Sequence, residues 1–387
     1  MSGSVDRVLT THVGSLVRPA DVVSQMRAVI HGEPYDKAAF QETLRRAIEE
    51  VVNEQTRLGI DIVNDGEFGK SGWSAYVLER LEGFEHRAVG RHSPRQIGVD
   101  RKRFAEFYAE EDLKQEKGAT QSGWVITRPI RYVGQRAISQ DIQNLQTAMR
   151  ASGAEKGFMA VVAPGSVLPD HTNEYYSDEV TSVFAIAEAM REEYRAIVDA
   201  GLTVQVDDAW MPAMYERMVP PATLADYYAW AELRVEALNR ALHGIPLERS
   251  RYHVCWGSWN GPHTGDIPLS EIVHLILKVR VGGYAIEAAN PRHEHEWRVW
   301  KTAKLPVERV LIPGVVSHAT NVVEHPELVA DRVVRFANLV GRERVIAGTD
   351  CGFAQGALYR RVHPSIMWAK LQSVVDGARI ATKRLWG

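Results

Sequence analysis

Residues 180–208 read VTSVFAIAEAMREEYRAIVDAGLTVQVDD, and this stretch contains the unit from which the fold can be read. Val180, Val183, Phe184, Ala187, Met190, Tyr194 and Ile197 recur at i, i+3 and i+4, the spacing that lines one face of a helix. Gly201 supplies the stop, since glycine takes the left-handed conformation that ends helices without steric cost. The run that follows, LTVQVDD, is short and β-branched and closes on two aspartates, as a buried strand next to a loop does. Outward from it lie similar runs, RVLTTHV, DIVND and GFMAVVA before it and RYHVCWG, YAIEAA, RVLIPGVV and RVIAGTD after it. Eight such runs separated by helical intervals predict an α/β fold, a (β/α)8 TIM barrel. Near the far end, Pro326 suits the first turn of a helix that Gly341 terminates.

One stretch departs from the alternation. From Arg87 to about Gln135 the chain is charged and ends in ITRPIRYVGQ, a candidate hairpin. It reads as an insertion between the second and third strands that covers part of the barrel mouth. Such a charge run more often serves as a plain solvated face. No low-complexity linker divides residues 1–387, so a single barrel domain with an excursion at about 87–135 is expected.

The 46 Lys and Arg nearly balance 49 Asp and Glu, for a formal charge of −3, which gives no electrostatic case for nucleic acid or an anionic membrane. No apolar run approaches the ~20 residues of a membrane span. The start, MSGSVDRVLTTHVGS, lacks an apolar targeting core. A cytoplasmic enzyme acting on small molecules is expected, and the sequence does not fix its oligomeric state.

The chemistry concentrates at strand ends. Cys255, in HVC, and Cys351, in GTDC, are the only two cysteines. His253 and Cys255 at i and i+2 on a strand point to one side, so with Cys351 they can meet at one zinc ion. Two unrelated thiols packed as small hydrophobes would leave the same pattern. The other strand ends bring His12, Gly14, Ser15, Asp65, Glu67, Ser166, Asp207, Asp208, Glu287, His318 and Asp350 to the same rim. Asp65 and Asp350 also suit loop or helix caps, and Ser15 a turn. Glu287 follows the next strand and suits a displaceable fourth ligand. A thiol entering such a site loses its proton, which favours alkyl transfer to sulfur. Trp210, Trp256, Trp259, Tyr175 and Tyr176 stand near these positions and suit an apolar wall for a donor, or ordinary packing. His293 and His295 in PRHEHEW read as surface residues or supports behind the metal, not as ligands.

In order, THVGSLVRP, NDGEFG, VQVDDAW, YHVCWGSWNGPH, YAIEAANPRHEHEW, IPGVVSHAT and VIAGTDCG resemble the catalytic barrel of the cobalamin-independent methionine synthases, a family that also includes the epoxyalkane:coenzyme M transferases. The resemblance covers essentially the whole chain and matches the single-barrel form. It implies zinc held by His253, Cys255 and Cys351, with Glu287 as the exchangeable ligand. It also implies that Gly14, Ser15 and Glu67 hold the amino-acid end of homocysteine, that Asp207 lines the same pocket, and that His318 relays a proton to the leaving group. Together with His12, Asp208 and Trp256 these make up the expected substrate contacts. The chain departs from the methionine synthases on the donor side. It reads APGSVLPDHTNEYYSD where TGPVT is usual, and Asp207-Asp208-Ala209-Trp210 where DEPA is usual.

The expected activity is zinc-dependent alkyl transfer in which a small thiol, held as a zinc thiolate, attacks an alkyl donor. Methyl transfer to homocysteine leads, with His318 as the acid and Asp207 next. Opening of an epoxide by coenzyme M uses the same site, and a sulfonate tail would draw on Arg18 or Lys70. A non-catalytic zinc- or thiol-binding barrel is the third reading.

Overall fold

The computed structural model describes residues 3–88, 98–114, 122–167, 172–259 and 261–387. The strands are β1 (Leu9–Thr10), β2 (Ile62–Val63), β3 (Leu81–Ala88), β4 (Ser122–Tyr132), β5 (Lys156–Val162), β6 (Thr172–Asn173), β7 (Thr203–Asp207), β8 (Ser250–Val254), β9 (Gly283–Ile286), β10 (Val310–Val316) and β11 (Ile346–Thr349). Eight of them form one parallel sheet in the order β1-β11-β10-β9-β8-β7-β5-β2. Its two edges meet where the Asp61 N–H donates to the Thr10 carbonyl at 3.2 Å and the Thr11 hydroxyl to the Ile62 carbonyl at 3.1 Å. The result is the TIM barrel that the eight apolar runs predict.

The helix after β6 runs Glu179–Asp199, with the Asp178 carboxylate accepting from the Thr181 N–H at 2.7 Å. Val183, Ala187, Met190, Tyr194 and Ile197 are buried on its sheet side, Phe184 is half-buried, and Val180 in the first turn is 51% exposed. Gly201 has φ 81°, the conformation the stop requires. The Pro326–Val340 helix likewise begins on its proline and ends at Gly341.

Inside the barrel, Leu9, Ile62, Phe158, Ala160, Ala285, Val310, Ile312 and Ile346 form one apolar cluster. Above it the interior turns polar. Arg251 stacks on Phe158 at 3.5 Å and donates to the Thr11 hydroxyl and the His12 carbonyl. Gln205 donates to the Val13 carbonyl and, at 2.7 Å, to Asp207. This layer ties the strand ends together beneath the rim.

The insertion lies between β2 and β5. β3 pairs antiparallel with β4, and β4 parallel with β6. Glu193, fully buried on the Glu179–Asp199 helix, anchors it by pairing with Arg80 at 3.0 Å and accepting from the hydroxyls of Tyr132 at 2.7 Å and Tyr76 at 3.1 Å. The turn Val99–Arg103 reaches the rim, where buried Asp100 accepts from the Thr264 N–H at 2.7 Å. Residues 89–97 and 115–121 of the expected excursion lie outside the described residues. Among the described residues, no helix is long and apolar enough to cross a membrane.

Candidate metal and thiol site

His253 sits within β8, Cys255 one residue past it, and Cys351 two residues past β11, so all three project from C-terminal strand ends. One donor atom of each lies within 4.8 Å of the others, and all three residues are buried. The two sulfurs are 3.8 Å apart. That is far beyond a disulfide bond, and it matches two sulfurs each about 2.3 Å from one tetrahedral zinc, which lie about 3.8 Å from each other.

The trio shares protons unevenly. The hydrogen bond from Cys255, opposed by burial and helped by His253 and Ser258, lowers the Cys351 thiol to about 6. The Ser258 hydroxyl lies 2.9 Å from that sulfur. The same shared bond, reinforced by burial, pushes Cys255 well above the usual thiol range. Burial opposes a charge on His253, yet the Asp207 carboxylate at 3.1 Å from Nδ1 outweighs it and raises the imidazole to about 9. The other nitrogen faces the Asp350 carbonyl at 3.2 Å. A carboxylate behind a ring nitrogen is the usual orienting support of a metal-binding histidine.

Glu287 follows β9 and is buried, but stands outside the three-donor group. Asn290 donates to one of its oxygens at 3.2 Å, and the other has no hydrogen-bond partner. Burial and then Asp350 push its proton affinity well above the ordinary carboxylate range. An orphaned buried carboxylate oxygen beside two thiols and an imidazole fits a donor set for zinc with one exchangeable position.

The trio opens on a cavity of about 200 Å³. Trp73, Trp210 and Trp259 supply its apolar wall, and Ser15, Glu67, Asp207, Gln355 and Arg361 its polar one.

The model of the cobalamin-independent synthase catalytic domain matches residues 8–92 and 116–378. The chain belongs to this family. The methionine synthase of Thermococcus kodakarensis is 25% identical over 347 residues, covering 89% of this chain and 85% of the relative. The 2-hydroxypropyl-CoM lyase of Xanthobacter autotrophicus is 23% identical, covering 91% and 89%. A B12-independent methionine synthase from Shewanella sp. W3-18-1, solved in complex with selenomethionine, superposes with a TM-score of 0.72 at 18% identity over 98% of this chain and 99% of that one.

The family's motifs do not all reach the cavity. Ser15, Glu67 and Asp207 line it beside the trio. Gly14 stands behind Glu67: its φ is 143°, and a Cβ there would meet the Glu67 carboxylate at 2.5 Å. Glu67 itself is held at φ 57°, a conformation that costs a non-glycine residue energy and marks a fixed side chain. Burial, opposed by Lys70, raises its carboxyl to about 7.

His12, Asp208, Trp256 and His318 do not line the cavity. His12 lies inside the barrel, with Nε2 on Gln55 at 2.8 Å and Nδ1 buried without a partner. Asp208 turns to the opposite side from Asp207 and accepts from Ser166 at 2.6 Å and Tyr252 at 2.7 Å. Trp256 is buried, donates to the Ile267 carbonyl at 2.7 Å and stacks on His293 at 3.9 Å. His318 is buried with Nδ1 unpartnered; burial and then Arg361 and His253 lower its imidazole to about 3, so it is neutral at pH 7.

Tyr175 is 50% exposed, and the Tyr176 hydroxyl accepts from the Ile130 N–H of β4. His293 is locked between Asp266 and Glu296 at 3.0 and 2.9 Å. Trp73, Ser258, Gln355 and Arg361 are cavity residues that sequence patterns did not single out. Only Ser258, inside the CWGSW turn after the ligand strand, left a local signal.

Proposed function

We propose that the chain is a zinc-dependent alkyltransferase acting on a small thiol, with methyl transfer to homocysteine as its reaction. The observation that carries this reading is the opening of the His253, Cys255 and Cys351 trio onto a cavity bounded by carboxylates and tryptophans. His253, Cys255 and Cys351 would hold the ion, with Glu287 as the exchangeable ligand. When bound, zinc supplies the Lewis acidity that makes an incoming thiol a nucleophile at neutral pH.

The chain's own groups do the rest. Asp207 orients His253 through Nδ1. Glu67 and Asp207 offer acceptors for an ammonium group, and Ser15 a further polar contact. Trp73, Trp210 and Trp259 exclude water and hold the donor carbon in line with the sulfur. His318, buried outside the cavity lining, is the proposed acid and would reach the departing atom through an intervening water, with Asp207, on the lining itself, second. It is neutral in the bare protein, because burial and then Arg361 and His253 disfavour its cation, so the acid role requires that it take up a proton when substrate is bound. The names of the Thermococcus and Shewanella relatives support methyl transfer. A cavity of about 200 Å³ is below the roughly 300 Å³ of drug-sized sites, so a large donor would leave most of its bulk outside. A reducing cytoplasm would keep both thiols available.

The Xanthobacter relative favours a second reading, in which coenzyme M opens an epoxide at the same site. The two are separated by incubating zinc-loaded protein with homocysteine or 2-mercaptoethanesulfonate against methyl-folate and simple epoxides. Methionine from the first pair is expected. Thioether from the sulfonate and an epoxide would select the second reading, and no alkylated thiol from any pair would refute both.

A further inference from the structure

We propose that Arg361 is the residue that binds the acid group, carboxylate or sulfonate, of the thiol substrate. The inference rests on the thiol alkyltransferase reading and names the specificity-determining cation for it. Arg361 is the one Arg or Lys on the cavity wall among the described residues. Its Nε donates to the Gln355 side-chain oxygen at 3.2 Å and one terminal nitrogen to the Tyr359 hydroxyl at 2.5 Å, over whose ring the guanidinium lies at 4.4 Å. Among the described residues it has no carboxylate partner, and its second terminal nitrogen has no hydrogen bond. A half-buried guanidinium without a counter-ion is costly, and a bound anion removes that cost.

Its position is tied to the sulfur site. Gln355, which fixes Arg361 through its oxygen, faces Cys351 Sγ through its amide nitrogen at 3.9 Å and donates to the Gly352 carbonyl. One amide side chain therefore joins the cation to a candidate metal-ligating sulfur, and both face the same cavity. The cations that the sequence offers for this task are occupied. Arg18 donates to the carbonyls of Ala354, Gly356, Glu67 and Lys70. Lys70 donates to the Ala160 carbonyl and sits 3.7 Å from Glu67. Neither lines the cavity. A planar guanidinium with a free edge also matches carboxylate or sulfonate oxygens better than a lysine would.

The test is calorimetric binding to zinc-loaded protein, without donor, for wild type, Arg361→Met and Arg361→Lys. The thiols are homocysteine, 2-mercaptoethanesulfonate, 3-mercaptopropionate and the uncharged 2-mercaptoethanol. Wild type should prefer the acid-bearing thiols to 2-mercaptoethanol by about 10- to 100-fold. Arg361→Met should erase that preference while keeping its zinc and its affinity for 2-mercaptoethanol, and Arg361→Lys should restore part of it. Tighter homocysteine would identify a carboxylate whose ammonium partner meets Glu67 and Asp207, and tighter 2-mercaptoethanesulfonate would identify a sulfonate. Acid thiols binding Arg361→Met as they bind wild type would overturn the proposal and assign the cation elsewhere, for instance to an acidic donor. If zinc-loaded wild type bound no thiol at all, both this proposal and the alkyltransferase reading would fall, whereas acid-blind binding overturns this proposal alone.

Discussion

Replacing Asp207 by asparagine should weaken zinc binding in a way that depends on pH. In the native protein Asp207 Oδ1 lies 3.1 Å from His253 Nδ1 and accepts from Gln205 at 2.7 Å. Loss of such a carboxylate behind a ligating imidazole typically costs 10- to 100-fold in metal affinity, about 1.4–2.7 kcal/mol. A second effect has the opposite sign. Zinc needs the unprotonated imidazole, and Asp207 holds the His253 proton up to about 9. At pH 7, two pH units below that value, discharging His253 costs about 2.7 kcal/mol, and the asparagine variant is relieved of most of that cost. Above about pH 9.5 the imidazole is neutral in both proteins and only the first effect remains. Competition with a chromophoric chelator should therefore give a zinc Kd about 10- to 100-fold weaker for Asp207→Asn near pH 9.5, the gap narrowing towards pH 7. No loss at high pH, or one constant ratio across the range, would refute the role given to Asp207.

Three further outcomes are expected. Glu193→Leu leaves Arg80 with only Asp141 and strands the Tyr76 and Tyr132 hydroxyls, so denaturant unfolding should show a loss of about 3–5 kcal/mol with zinc content unchanged; an unaltered midpoint would show that the cluster anchors nothing. Because burial raises the Glu67 carboxyl to about 7, it is increasingly protonated below that pH and increasingly charged above it. Both thiols should bind more weakly as pH drops, because each releases its thiol proton to the site, but homocysteine, whose ammonium needs the Glu67 carboxylate, should fall more steeply than 2-mercaptoethanol below pH 7, with Glu67→Gln removing the difference; equal slopes in the native protein would count against an ammonium site. His318→Asn should keep zinc and thiol affinity while turnover drops about 10²–10⁴-fold; wild-type turnover would pass the acid role to Asp207 or water.

The barrel was legible because its units repeat. The helix face from Val183 to Ile197 and the Gly201 stop are local signals, and left-handed glycines likewise end the helices before β2, at Gly59, and before β5, at Gly153. The metal trio was legible for a different reason, since the chain has two cysteines and both close strand-like runs. Side-chain direction past a strand end was harder to read. Asp207 and Asp208 are adjacent, yet one faces the cavity and the other Ser166 and Tyr252. Trp256 follows Cys255 and turns away in the same manner, onto His293. The cavity's cation was illegible because Arg361 comes ten residues after Cys351 in a loop without period, and its place depends on Gln355 and Tyr359. Arg18 and Lys70 stand in motifs near the rim, but backbone carbonyls at long sequence separation consume their donors.

The most direct test of the metal centre is zinc-edge X-ray absorption on the loaded protein, with and without saturating homocysteine. Two sulfurs, one imidazole nitrogen and one oxygen are expected in the resting state, with one sulfur lost in Cys255→Ser and in Cys351→Ser. Adding the thiol should replace the oxygen by a third sulfur. A first shell that contains no protein sulfur, or that stays unchanged at saturating thiol, would contradict a thiol-activating zinc site at His253, Cys255 and Cys351.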